Sequence, residues 1–176
     1  MAGALAEQIA ALLLERVETV AVAETAAGGQ ICGALTAVPG ASVWFLGGVV
    51  PYAPQAKARW LDVRAGHLEG AGVVSETAAR TMAVAVRETL GATWGLAETG
   101  IAGPQTGRRS SKPAGLVHVA VDGPSAALRE HHTGLPGRTE NQAAFTELAL
   151  TLLLESLRLA PRTPAAPGLH NSRSRG

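Results

Sequence analysis

The chain has 176 residues, enough for one domain with a full core; 47% are hydrophobic but only 3% aromatic, so that core must be packed with Ala, Val and Leu. A formal net charge of +1, from 15 basic and 14 acidic residues, gives no bulk pull toward nucleic acid or a membrane surface. The one cysteine, Cys32, excludes an internal disulfide and a thiolate metal cluster. The first residues lack a basic segment and Glu7 interrupts their apolar run, so they do not read as a signal peptide; no run is long enough to span a bilayer, and a cytoplasmic setting is expected.

Leu5, Ile9, Leu12 and Leu13 recur at helical spacing, which predicts an amphipathic helix over 3–17. The run from Val17 to Ala23 predicts the first strand, and it stops at Glu24. Thr25, small residues and the pair Gly28-Gly29 follow, the pattern of a strand entering a tight turn and then a helix over 29–38, ended by Pro39-Gly40. A second strand is predicted over 43–50, closed by Pro51, and a short helix over 55–61. Ser75 is a good N-cap for a long helix over 77–90, and Gly91 stops it. A third strand is predicted over 93–99.

Residues 100–113, GIAGPQTGRRSSKP, form a polar loop of a length that in compact domains usually marks function or mobility. Strands over 116–121 and 126–132, joined at Asp122-Gly123-Pro124-Ser125, predict an antiparallel hairpin. A last helix is predicted over 138–157, and residues 160–176, rich in Pro, Arg and Ser, read as a disordered tail after a single domain over 1–159. The element order predicts an α/β fold, a three-layer α/β/α sandwich with a mixed sheet.

Four polar side chains fall at strand ends or in loops: Thr25, Tyr52, Lys57 and Thr99. Ligands in open α/β sheets bind at the carboxyl ends of strands, and a helix N-terminus favours an anion or a developing oxyanion. A hydroxyl nucleophile, a lysine base and a nest of amides could be assembled there. Each residue also has a plainer reading. Thr25 suits a helix cap, Lys57 a solvated surface, Tyr52 half-buried packing. Arg108, Arg109 and Lys112 read as solvated loop charges. His131 and His132 alternate across a strand and cannot both face one metal, while His67 and His118 lack ligand spacing. Trp44, Trp60 and Trp94 read as core or interface anchors.

The segments AETAAGG, GGVVPYAPQAKARWLDV, GVVSETAA, TGIAGPQTGRRSSKPAGLVHVAV and LPGRTENQAA resemble the C-terminal domain family of the competence/damage-inducible protein CinA, from about Ala4 to Leu154. TGIAGP followed by KPxG carries most of the specificity, with Tyr-x4-Lys beside it. The resemblance implies an amidohydrolase that converts nicotinamide mononucleotide and water to nicotinic acid mononucleotide and ammonia, in the stand-alone form of the family. It implies a nucleophile at Thr25, a basic partner in Lys57 and an assisting Tyr52. It implies substrate contacts from Ala26, Ala27, Gly28, Gly29, Thr99, Gly100, Ile101, Ala102, Gly103, Arg138 and Gln142, with Arg138 meeting the phosphate and the amides of Ala26 to Gly28 holding the oxyanion. No metal and no cofactor is implied. The partner is a small-molecule mononucleotide, with no nucleic acid or membrane, and a homo-oligomer is expected.

The chain departs from the family pattern at the proposed site. The family's serine is Thr25, a threonine two residues later is Ala27, a second arginine after Arg138 is Gln142, and PQTGRR replaces a glycine pair. Glu98 sits inside an otherwise apolar strand. The methyl group of threonine restricts χ1 and crowds the attack, so slow turnover is expected. The alternative is a catalytically silent relative that binds a nucleotide.

Overall fold

The computed structural model describes residues 1–62, 71–104 and 111–161. Helix α1, Ala2–Arg16, buries Ala6, Ile9, Ala10 and Leu13 on one face. It ends where Val17 turns left-handed at φ 55°, its amide donating to the carbonyls of Leu13 and Leu14. That cap delays strand β1 to Val20–Glu24, and the strand includes Glu24 instead of stopping before it. Helix α2, Gln30–Thr36, is shorter than its apolar pattern implies. A 3-10 turn at Ala41–Val43 takes the start of the second predicted strand and leaves β2 as Phe45–Val49.

Helix α3, Pro54–Leu61, has proline in its first turn, where no amide is needed. Helix α4, Glu76–Leu90, is capped by Ser75, whose hydroxyl accepts from the Ala78 amide, and closed by Gly91 at φ 64°. Strands β3, Trp94–Gly100, β4, Leu116–Asp122, and β5, Ala127–His132, follow, and helix α5, Arg138–Leu159, completes the described elements. The predicted tail at 160–176 lies outside the described residues beyond 161, as do His67, Arg108 and Arg109.

The sheet order is β2-β1-β3-β4-β5. β1 is parallel to β2 and β3, and β4 is antiparallel to β3 and β5, so the sheet is mixed and the hairpin forms as the turn residues predict. Alternate residues of the central strands face opposite layers. Val20, Val22, Trp94 and Leu96 point to α1, α2 and α5. Ala21, Ala23, Ala97 and Ala120 point to α4 and the end of α3. Small residues bring that second layer close: a Cβ on Gly95 would lie 2.0 Å from the Ala83 carbonyl oxygen of α4. Trp44 and Trp94 are core residues, whereas Trp60 on α3 is half exposed. The three-layer α/β sandwich places the carboxyl ends of β1 and β3 side by side, with Glu24 and Glu98 in register.

Candidate active site

The turn after β1 is built by two buried carboxylates. Glu24 Oε2 accepts from the amides of Gly29 (2.9 Å) and Ile31 (3.1 Å), and its Oε1 from Cys32 (2.9 Å), so the first turn of α2 is capped from within the preceding strand. Glu98 Oε2 accepts from the amides of Thr25 (3.0 Å) and Ala27 (2.9 Å). The Thr25 hydroxyl donates to the Glu98 carbonyl at 3.3 Å. Of the amides along this turn, where a nest for an oxyanion is expected, those of Thr25, Ala27 and Gly29 are taken by carboxylates. Gln142 Nε2 donates to the Ala26 carbonyl at 3.0 Å and holds the turn from α5. Gly28 adopts φ +72°, where a side chain is strained, and a Cβ there would lie 2.8 Å from that Nε2 and push it off the Ala26 carbonyl.

Beside this turn lies a cavity of about 370 Å³, lined by Thr25, Ala26, Tyr52, Lys57, Val73, Val74, Thr99, Gly100, Ile101, Ala102, Gly103, Pro104 and Arg138. Thus Thr25, Tyr52, Lys57 and Thr99, which lie on four different segments, face one hollow with Arg138 from α5. Ala27, Gly28, Gly29 and Gln142 are outside the lining; they shape the turn from behind. Val73 and Val74 enter from the segment before α4. Their backbone signals their place: the Thr99 hydroxyl donates to the Val73 carbonyl at 2.8 Å, and Lys112 Nζ donates to that of Val74. A larger and more open depression of about 560 Å³ lies between Leu61 and the outer face of α4, but none of these groups lines it.

Lys57 is buried although it belongs to a short surface helix, because α3 turns Lys57 and Leu61, four residues apart, inward. Burial pushes its ammonium below the ordinary lysine value, and the nearby Glu98 charge opposes that shift. No hydrogen bond joins Lys57 Nζ to the Thr25 hydroxyl, which is turned to the Glu98 carbonyl. Tyr52 is 61% exposed at the rim, where its phenol oxygen accepts from Arg138 at 3.0 Å. The other arm of that guanidinium donates to the Gly103 carbonyl at 3.0 Å. Asn141, one turn on, donates to the carbonyls of Ala102 (3.0 Å) and Leu135 (3.1 Å), so α5 fixes the loop after β3 at two points.

Glu98 is fully buried. Burial pushes its carboxyl up to about 7, against the pull of the Ala27 and Thr25 amides and with a further push from Glu24. Its Oε1 has no hydrogen-bond partner. Its sequence signal is a lone acid inside an apolar strand, without any cue to its partners 71 and 73 residues away. Cys32 is kept a thiol, burial and Glu24 both pushing it upward. His118 is buried on β4 with both ring nitrogens unpartnered, and Glu130 lies 3.6 Å away. Among the described residues, no three His, Cys, Asp or Glu side chains are grouped to hold a metal, and no helix is long and apolar enough to cross a membrane.

The family model for the CinA C-terminal domain matches residues 2–157. A CinA-like protein of Anaeromyxobacter sp. is 47% identical over 156 residues, covering 88% of this chain and 38% of that protein. A CinA-like protein of Frankia casuarinae is 48% identical over 126 residues, covering 72% of this chain and 28% of that one. The chain therefore spans well under half the length of these curated relatives. Solved structures match over most of both chains. The competence/damage inducible protein CihA from Agrobacterium tumefaciens is 35% identical at a TM-score of 0.80, covering 88% of this chain and 94% of its own. The competence damage-inducible protein A from Klebsiella pneumoniae is 28% identical at 0.83, covering 90% and 98%. With its mixed sheet, its TGIAGP loop after β3 and this agreement across nearly the whole described chain, the protein belongs to the CinA C-terminal domain family.

Proposed function

We propose that the chain is an amidohydrolase that cleaves the carboxamide of nicotinamide mononucleotide, giving nicotinic acid mononucleotide and ammonia. The observation that carries this reading is the convergence of Thr25, Lys57, Tyr52 and Arg138 on one cavity, large enough for a small ligand. Lys57 has the character a base needs. A free lysine titrates near ~10.4 and a base acting at neutral pH needs a value nearer ~7–8. Burial moves Lys57 in that direction.

In the proposed reaction, neutral Lys57 takes the proton of the Thr25 hydroxyl as Oγ1 attacks the carboxamide carbon. The carbonyl π pair moves onto oxygen, and amides of the Thr25 turn receive it. When the carbonyl re-forms, the C–N bond breaks, and the departing nitrogen takes the proton from Lys57 and leaves as ammonia. Water then attacks the acyl-threonine with Lys57 again as base, releasing the carboxylate and restoring the hydroxyl. Arg138, at the rim beside Tyr52, offers a guanidinium to the phosphate of the nucleotide.

A second reading, a nucleotide-binding protein without turnover, has a specific observation in its favour. The Thr25 hydroxyl bonds to a backbone carbonyl, and the amides of Thr25 and Ala27 are held by Glu98. Ammonia release from nicotinamide mononucleotide by the purified protein separates the two. Release that disappears in Lys57→Ala supports hydrolysis. Calorimetric binding of the mononucleotide with no ammonia retires it in favour of the second reading.

A further inference from the structure

We infer that Glu98 is a positioning residue for the Thr25 turn, and that the charge on its carboxyl sets how freely that turn adjusts to a carboxamide bound in the cavity. The inference rests on the amidohydrolase reading for the identity of the bound ligand, and on geometry for the rest. Oε2 holds the amides of Thr25 and Ala27 at 3.0 and 2.9 Å, which fixes the backbone on both sides of Ala26 in the cavity wall. Oε1 is buried without a partner. Gly100 roofs it: a Cβ there would lie 3.2 Å from Oε1 and 2.7 Å from the Leu116 carbonyl. The carboxyl thus has one oxygen committed to the turn and one enclosed under a cavity-lining glycine.

An ionised acceptor binds an amide roughly twice as strongly as a neutral one. Charge on Glu98 therefore tightens its hold on the pair, and a proton loosens it. The carboxyl titrates where this matters, near neutrality. The charged groups that face it are Glu24 from β1, which favours the proton, and Lys57 from α3. From β4 its register partner is Val119, and from α5 Gln142 reaches the same turn; neither ionises. Proton loss from Glu98 also raises the affinity of Lys57 for its own proton. The form ready for amide attack therefore has neutral Lys57 beside a protonated Glu98.

The test follows the backbone amide signals of Thr25 and Ala27 by NMR across pH, in the wild type and in Glu98→Gln. The expected result is that both signals titrate together with a midpoint near 7 in the wild type and lose that titration in the variant. Nicotinamide mononucleotide added at about pH 6 should move both signals, and at about pH 8.5 should move them several-fold less, because the carboxylate then holds the amides. Amides that do not titrate in the wild type, or that still titrate in Glu98→Gln, overturn the inference, as does an equal response to the mononucleotide at both pH values. Where the protein turns the mononucleotide over, the ammonia rate should be bell-shaped in pH and lose its alkaline limb in Glu98→Gln; an alkaline limb that persists also overturns it. Absence of ammonia from every variant retires the amidohydrolase reading alone, because the amide titration and its response to the mononucleotide are read without turnover. The wild-type titration needs no substitution, so the test survives a variant that fails to fold.

Discussion

Glu24 and Glu98 are register partners on adjacent parallel strands, both fully buried, and their carboxylates hold successive parts of one turn. Glu98 takes the amides of Thr25 and Ala27, and Glu24 those of Gly29, Ile31 and Cys32. Neither carboxylate makes an ion pair among the described residues, so backbone amides stand in for cations. The helix dipole of α2 is answered inside the protein, and the anion-binding capacity of its N-terminus is already used. In the proposed function a phosphate is therefore assigned to Arg138 at the rim.

Glu24→Ala should strip three amides of their acceptor at once. With those donors orphaned in the core, the variant should lose about 2–4 kcal/mol of stability, read as a fall in the urea midpoint. Glu24→Gln keeps an acceptor oxygen and should lose less. An alanine variant as stable as the wild type would show that water reaches these amides.

Glu98 makes a pH prediction of its own. Its folded-state value, about 7, lies above the ordinary 4.5, so the native state binds this proton more tightly than the unfolded chain. Its contribution to stability is full below about 4.5 and is lost as pH rises toward about 7. Glu98→Gln carries no such charge. Its stability relative to the wild type should therefore climb across that window and level off above it, as measured by urea unfolding at a series of pH values. A flat difference would place the titration elsewhere.

The strands, the main helices and the hairpin were legible because their apolar periods, caps and turn residues are local signals. Ser75 caps α4 and Gly91 ends it as such residues do. The convergence of Thr25, Tyr52, Lys57 and Thr99 was legible only through motif spacing, since no local rule carries Lys57 inward on a short helix. The two carboxylates were not legible. Glu24 read as the end of a strand, whereas three downstream amides let it be buried within one. Glu98 read as a departure from an apolar pattern because its partners, in the turn after the neighbouring β1, are 71 and 73 residues away in sequence. Local composition reports the cost of burying an acid and gives no hint of the donors that offset it.

Lys57→Met should abolish ammonia release while leaving the fold intact. The native value of Lys57 is lowered by burial, so the folded state disfavours its charge. The penalty is present at neutral pH and disappears as pH rises from the depressed value toward the ordinary 10.5. The methionine variant should therefore melt higher than the wild type at neutral pH, by about 2–4 °C for each kcal/mol relieved, with the gap closing in alkali. A variant that melts lower at neutral pH would mean that the amine is well paired in the native state.

Arg138 spans the rim, with Tyr52 on one side and the Gly103 carbonyl on the other. Arg138→Ala should weaken binding of nicotinamide mononucleotide about 10- to 100-fold, the range expected for losing charge-assisted bonds worth about 1.5–3 kcal/mol. Nicotinamide riboside, which lacks the phosphate, should lose much less. Titration calorimetry of the two ligands against wild type and variant measures the difference. Equal losses would assign Arg138 to holding Tyr52 and the loop, with no direct part in meeting the phosphate.

The Thr25 hydroxyl donates to the Glu98 carbonyl within a buried turn, and the methyl group on the same carbon restricts its rotation. In the proposed reaction the hydroxyl must give up its bond to that carbonyl and pass its proton to Lys57. Serine lacks the methyl group and explores its rotamers more freely, so Thr25→Ser should release ammonia at least as fast as the wild type, with a rise in kcat of about tenfold where rotation is limiting, a change of about 1.4 kcal/mol in barrier. Thr25→Ala should release none and should still bind the mononucleotide, since Arg138 and the rest of the cavity lining are unchanged. Single-turnover ammonia assays on the three proteins decide the point. Activity that survives in the alanine variant would remove Thr25 as the nucleophile and leave direct attack by water as the remaining route.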